Sequence, residues 1–187
     1  MKIMNWELIE ESKGSSTILE PGGYVCRITA VQDVPEREYV WIIYDVAEGS
    51  QAGMYSGLGV ADDWKHRFTR SYKDSAAGMF KAFLSRLEES NRGRFNVANW
   101  QIHSDERQFV GLEIGLVFGK ELYTNDKGED KERTVVSYVC ASQDIRNGDF
   151  KVPAVKDKRT TVPASTSYDD FNDVPFTVPS GNAPSWA

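Results

Sequence analysis

Ten consecutive residues, Trp64-Lys65-His66-Arg67-Phe68-Thr69-Arg70-Ser71-Tyr72-Lys73, hold four cations and no acid, with three aromatic rings set between the charges. Cations bind phosphates and flat rings stack on bases, so this mixture suits an extended strand of nucleic acid. Lys65, Arg67, Arg70 and Lys73 are the candidate phosphate ligands, and Trp64 and Tyr72 the candidate stacking rings. A second stretch, Arg92-Gly93-Arg94-Phe95 with Trp100, His103 and Arg107 behind it, repeats the combination more loosely. It serves equally well as a connector between a helix and a strand. Arg37 and the segment Lys127–Lys131 add cations on two loops, each among acids.

Catalytic chemistry is poorly represented. His66 and His103 lie far in sequence from Cys26 and Cys140, so no zinc-ligand spacing exists. Gly57-Leu58-Gly59 lacks the third glycine of a dinucleotide fingerprint and is read as a turn or bulge. Asp62-Asp63 is a carboxylate pair that could hold a metal, although loop acids of this kind are usually only solvated. There is no Gly-x-Ser-x-Gly elbow and no Walker lysine.

These residues need a scaffold, and composition bounds it. The chain has 187 residues with 22 basic and 28 acidic side chains, a net charge of -6. Acidity of this size argues against phosphate-bearing ligands unless it is unevenly placed. It is uneven: from Thr160 onward the charged residues are Asp169, Asp170 and Asp173 alone, half of the net charge. No apolar run approaches the roughly 20 residues of a membrane span. The start lacks the apolar stretch of a signal peptide. Two cysteines build no disulfide framework, so a cytoplasmic, reducing compartment is expected.

The body reads as strands. Tyr24, Cys26, Ile28 and Ala30 alternate on one face after the turn Pro21-Gly22-Gly23. Tyr39 to Val46 is apolar on both faces and is expected to be buried on both sides or to sit in a tight barrel, with Trp41 in the core. Trp64 to Tyr72 alternates as a third strand, with Lys65, Arg67, Thr69, Ser71 and Lys73 on one face and Trp64, His66, Phe68, Arg70 and Tyr72 on the other. Phe80, Phe83, Leu84 and Leu87 then recur at helical spacing. Asp74 or Ser75 is placed to cap that helix, and Asn91 and Gly93 to end it. Val110 to Phe118 is the fourth strand, Asn125-Asp126-Lys127-Gly128 a hairpin turn, and Glu132 to Ala141 the fifth strand. Three strands, a helix and two strands is the order of an OB fold, a five-stranded, partly open barrel with one helix between strands three and four. That domain is expected over residues 1–150.

Five of the seven prolines fall after residue 150, among Ser, Thr and Asn, with no apolar period. Residues 151–187 are therefore expected to be a flexible tail. Within it, Asp169-Asp170-Phe171-Asn172-Asp173-Val174-Pro175-Phe176 resembles the acidic tip of bacterial single-stranded-DNA-binding proteins. The matching positions are Asp169, Asp170, Asp173, Val174, Pro175 and Phe176. In that family the tip ends the chain, whereas here Thr177 to Ala187 follow Phe176. The body, through Gly23-Tyr24-Val25-Cys26-Arg27-Ile28, Met79-Phe80-Lys81-Ala82-Phe83-Leu84 and Val110-Gly111-Leu112-Glu113-Ile114-Gly115, is similar to phage-encoded single-stranded-DNA-binding proteins of the replication and recombination class.

The resemblance implies an OB fold, sequence-tolerant binding of single-stranded DNA, no cofactor, no catalysis, and a tail that recruits replication or recombination proteins. The candidate binding set is Trp64, Lys65, Arg67, Arg70, Tyr72, Lys73, Arg92, Arg94, Phe95 and Trp100. Two other readings stay open. One is a non-catalytic protein-interaction module, such as a phage accessory or virion protein. The other is a metal-dependent nuclease built on Asp62 and Asp63.

Overall fold

A computed structural model of the chain describes residues 18–159. The tip residues Asp169, Asp170, Asp173, Val174, Pro175 and Phe176 lie outside the described residues. The elements run β1 (Gly22–Val34), β2 (Tyr39–Val46), β3 (Arg67–Ser71), α1 (Ala77–Ser90), α2 (Val97–His103), β4 (Glu113–Thr124), β5 (Asp130–Cys140), α3 (Ser142–Asn147) and β6 (Lys156–Lys158). The strands form one mainly antiparallel sheet in the order β3-β2-β1-β4-β5, with β6 added parallel to β4. Among the described residues no helix is long and apolar enough to cross a membrane.

The sheet curls over one core but does not close. β3 and β5 are its two edges, and no ladder joins them among the described residues. The reason is local. The residues before β3 coil into a 3-10 turn over Val60–Lys65, which leaves β3 only five residues long. A cleft of about 350 Å³ lies between that turn and β5, floored by Tyr44, Tyr55 and Phe118.

The inward stripe of β1 holds Cys26 and Ile28 as expected, then slips. The register with β2 jumps between Ile28 and Ala30, so Thr29 is an extra residue. Ala30 moves to the outer face opposite Ile43, and Val31 takes the inner position opposite Ile42. Ile28, Ile42, Ile114, Leu116 and Phe118 build the sheet side of the core, and Phe83, Leu84 and Leu87 of α1 close over it. α1 begins without the expected cap. A 3-10 turn over Asp74–Ala76 leads into it, and neither Asp74 nor Ser75 caps an amide. Asn91 does end it: its Nδ2 donates to Leu87 O and Glu113 O at 2.8 Å each, and its Oδ1 accepts from Glu113 N at 2.9 Å. One buried amide thus fixes the end of α1 to the start of β4. That start falls at Glu113, because Gly111 takes a left-handed φ of 82° and leaves Val110 exposed. The hairpin turn forms as expected, with Gly128 N donating to Asn125 O at 2.9 Å.

The chain after β5 is ordered further than its proline content suggests, since α3, Phe150 and Pro153 pack over Gly23, Gly115 and Gly119 of β1 and β4 and residues 156–158 then join the sheet beside β4. Glu121 anchors β6, accepting from Lys158 Nζ at 2.7 Å and from Arg133 Nη2 at 3.1 Å. Desolvation raises the Glu121 carboxyl, but the Lys158 and Arg133 contacts together outweigh it and hold its pKa below the usual carboxylate range. Glycines admit this covering layer. A Cβ on Gly115 would stand 2.7 Å from Ala141 O and 2.9 Å from Ile145 Cγ1. Because the nearest obstacle is backbone, Gly115→Ala should lower stability by about 1–3 kcal/mol. Gly57→Ala, with nothing within 4 Å of its Cβ, is the control. Equal urea midpoints for the two variants would show that α3 does not seat on Gly115.

Candidate nucleic-acid interface

Strand alternation divides the basic segment. Arg67, Thr69 and Ser71 face outward, paired in register with Ile43, Trp41 and Tyr39 of β2. Gln32 and Val34 of β1 continue the same face opposite Trp41 and Tyr39. None of the positions Gln32, Val34, Tyr39, Trp41, Arg67, Thr69 and Ser71 is acidic. The Arg67 guanidinium carbon sits 3.9 Å from the Trp41 ring centroid, and the Tyr39 ring meets Trp41 edge-on at 5.4 Å. Arg67 has no ion pair with any described residue. An arginine seated on an indole is oriented without being neutralised, so its N–H fork stays available for a phosphate. Tyr39 and Trp41 supply the ring surface that bases stack on.

This places Trp41 differently from its expected burial. β2 is apolar on both faces, yet on its outer side Ile43 is buried while Tyr39 and Trp41 are only half-buried, and Val40, Ile42 and Tyr44 fill the core. The pattern Tyr39-Val40-Trp41-Ile42 contains the signal: aromatic residues two apart, alternating with aliphatic ones, share one face of a strand.

The other predicted residues are distributed over several surfaces. Trp64 and Lys65 belong to the 3-10 turn and not to β3, so they share no strand face with Arg67. Trp64 is 62% exposed and lines, with Lys65, the cleft between the 3-10 turn and β5. Lys65 Nζ lies 5.5 Å from the Trp64 ring centroid and is bound to Asp62 Oδ1 at 2.7 Å. Arg133 and Tyr123 form the opposite wall, the guanidinium carbon 4.9 Å from the Tyr123 centroid. Both cations of this cleft are paired, Lys65 with Asp62 and Arg133 with Glu121, and Glu132 also lines it.

Arg70 points to the core side of β3. Its guanidinium carbon lies 4.7 Å from the Phe68 centroid and 5.9 Å from that of Phe83, and Nη1 donates to Thr69 O at 2.9 Å. Desolvation brings its pKa down to about 10, which leaves it charged at neutral pH. Tyr72 also lies on the core side, its hydroxyl donating to Asp33 Oδ1 at 3.0 Å and its ring edge-on to Phe80. Neither joins the Arg67 face. Lys73 is exposed just beyond β3.

Arg92 and Arg94 are exposed, without ion pairs among the described residues, on an open depression of about 600 Å³ shared with Asn99 and Gln108. Phe95 and Trp100 cannot serve as stacking platforms, because both rings pack on Phe109 in the core and are 6% and 8% exposed. The stretch expected to be irregular coils into α2, capped where Asn96 Oδ1 accepts from Asn99 N, and the indole of Trp100 donates to Asp105 O at 2.9 Å. Arg37 is exposed in the β1–β2 turn, and Lys127 is exposed at the β4–β5 turn.

The loop acids are engaged locally. Asp62 binds Lys65, and Asp63 Oδ1 lies 3.8 Å from His66 Nε2. Among the described residues no three His, Cys, Asp or Glu side chains converge as metal ligands would. His66 is itself a core group, stacked on Tyr55 at 4.6 Å with Nδ1 2.6 Å from Tyr44 O. No protein-family model matches the chain, and no curated protein matches it.

Proposed function

We propose that this protein binds single-stranded DNA with little sequence preference, without catalysis, across the outer face of β2 and β3. The observation that carries this reading is the Arg67–Trp41 stack at 3.9 Å, with Tyr39 beside it, at the end of the face where the paired positions Gln32, Val34, Tyr39, Trp41, Thr69 and Ser71 carry no acid. It joins a cation that has no ion pair among the described residues to stacking rings, the two elements that sequence-tolerant single-strand binding requires. Architecture supports it as well. β1 bonds to both β2 and β4, α1 lies between β3 and β4, and the sheet stays open between β3 and β5. That arrangement favours an OB-type, partly open barrel, in which the faces of strands two and three bind oligonucleotides, with help from the loops between strands one and two and between four and five. In this reading the acidic tip Asp169–Phe176 serves replication or recombination proteins, leaving the cationic face to DNA.

The test is a fluorescence titration with oligo-dT and with duplex DNA at several salt concentrations. Oligo-dT should bind, quench tryptophan emission, and lose affinity with a log–log salt slope of about -0.7 per phosphate neutralised. Duplex DNA should bind much more weakly, since its bases are not free to stack. Absence of oligo-dT binding at low salt would end this reading.

A further inference from the structure

A second pocket lies on the core side of the sheet, at the end where β1 finishes and β3 leaves. It is lined by Asp33, Val40, Tyr72, Phe80, Trp100, Ser104 and Glu106 and encloses about 240 Å³. Its wall is aromatic: the Tyr72 and Phe80 centroids are 6.0 Å apart and those of Phe80 and Trp100 are 5.9 Å apart. Its charge is of one sign, because Asp33 and Glu106 are its charged lining residues. Neither carboxylate has an ion pair among the described residues; Asp33 instead accepts the Tyr72 hydroxyl. Desolvation, then Asp33, Glu38 and Glu36, push the Tyr72 phenol up to about 12, in keeping with a negative surround.

We infer that this pocket receives an arginine side chain of a partner protein. A guanidinium can lie on the half-buried Tyr72 and Phe80 rings, with Trp100 packed behind them, and direct its N–H groups to Asp33 and Glu106, a combination that neither an apolar nor an anionic occupant satisfies. The volume is below the roughly 300–1,000 Å³ of small-molecule pockets and suits one side chain. The acids do not gather with other ligating groups as they would around a metal ion among the described residues. A cation whose charge is spread over a plane can stack on a ring and still offer several N–H donors to the two acids, which a compact ammonium does less well. The pocket faces away from Trp41 and Arg67, so the inference does not rest on the DNA reading.

The experiment is an NMR titration of the full chain with a capped Gly-Arg-Gly tripeptide, against the same peptide carrying norleucine. The arginine peptide should move the Trp100 indole N–H resonance saturably and leave that of Trp41 in place. The norleucine peptide should move neither. Asp33→Asn with Glu106→Gln should weaken the arginine effect at least about tenfold, from the combined loss of charge attraction around the ring contact. Glu106→Gln alone, which leaves the Asp33–Tyr72 bond intact, should weaken it in part. A still Trp100 resonance, equal shifts from norleucine, or shifts unchanged in the variants would each overturn the inference.

Discussion

Trp41→Ala should weaken oligo-dT binding by about 5- to 150-fold, the range set by roughly 1–3 kcal/mol for each base stacked on an aromatic side chain. The half-buried indole has two roles on the outer face, as ring surface and as the seat that orients Arg67. Its loss therefore removes a stacking platform and frees the guanidinium to wander. Arg67→Glu should act differently. It replaces a phosphate ligand by a repelling charge, so affinity should fall most at low salt and the salt slope should shrink by about one phosphate. In the double variant the two losses should add to less than their sum, because each residue positions the other. Lys81→Glu is the matched control: Lys81 is exposed on α1, away from this face, and its reversal carries the same change in net charge. Circular dichroism would establish that all variants are folded. If Trp41→Ala and Lys81→Glu bound oligo-dT alike, DNA would not cross β2 and β3.

The contrast between Trp41 and the pair Phe95 and Trp100 shows what could be read from the residues alone. Next to Arg92 and Arg94, Phe95 and Trp100 look like ligand rings, and inside an apolar strand Trp41 looks like core. The structure buries Phe95 and Trp100 and leaves Trp41 half-buried on the outer face, for a non-local reason. Phe109 arrives from beyond α2 and supplies the surface that buries Phe95 and Trp100, whereas among the described residues no later strand pairs over the outer side of β2 at Trp41. Local alternation tells which residues share a face, and it did so correctly for Arg67 with Thr69 and for Phe68 with Arg70. It does not tell which face will be covered. The same limit hid the docking of residues 151–159: proline content predicts an unfolded tail, but Gly119 leaves room for Pro153, and Glu121 and Asp130 wait for Lys158 and Arg159. The Thr29 bulge is a further case, since one extra residue changes no composition and yet exchanges Ala30 for Val31 in the core. The stripe Phe83, Leu84 and Leu87 and the turn at Gly128 were legible because both depend on neighbours within a few positions.

Phe83→Ala should cost about 3–5 kcal/mol of folding stability, the usual loss for emptying a fully buried phenyl site. Phe83 is 0% exposed and its ring centroid lies 6.4 Å from Phe68, 6.1 Å from Phe80 and 5.6 Å from Phe109. It is the meeting point of β3, α1 and the turn before β4, with Arg70 on another side at 5.9 Å. Neighbours drawn from several elements cannot all move in to fill the space, so the cavity term should persist. At about 2–4 °C per kcal/mol for a chain of this length, the melting temperature should fall by roughly 10 °C. Phe83→Leu, which keeps most of the volume, should lose much less. The informative measurement is DNA affinity at a temperature where both proteins are folded. Phe68 and Arg70 lie on the inner side of β3 and Arg67 on the outer, so Phe83→Ala should bind oligo-dT as the unaltered chain does. Saturating oligo-dT should then stabilise both by the same free energy, since that increment depends only on ligand concentration and Kd. A weaker Kd in folded Phe83→Ala would mean that the core behind β3 sets the position of Arg67, and that the two sides of this short edge strand act as one unit.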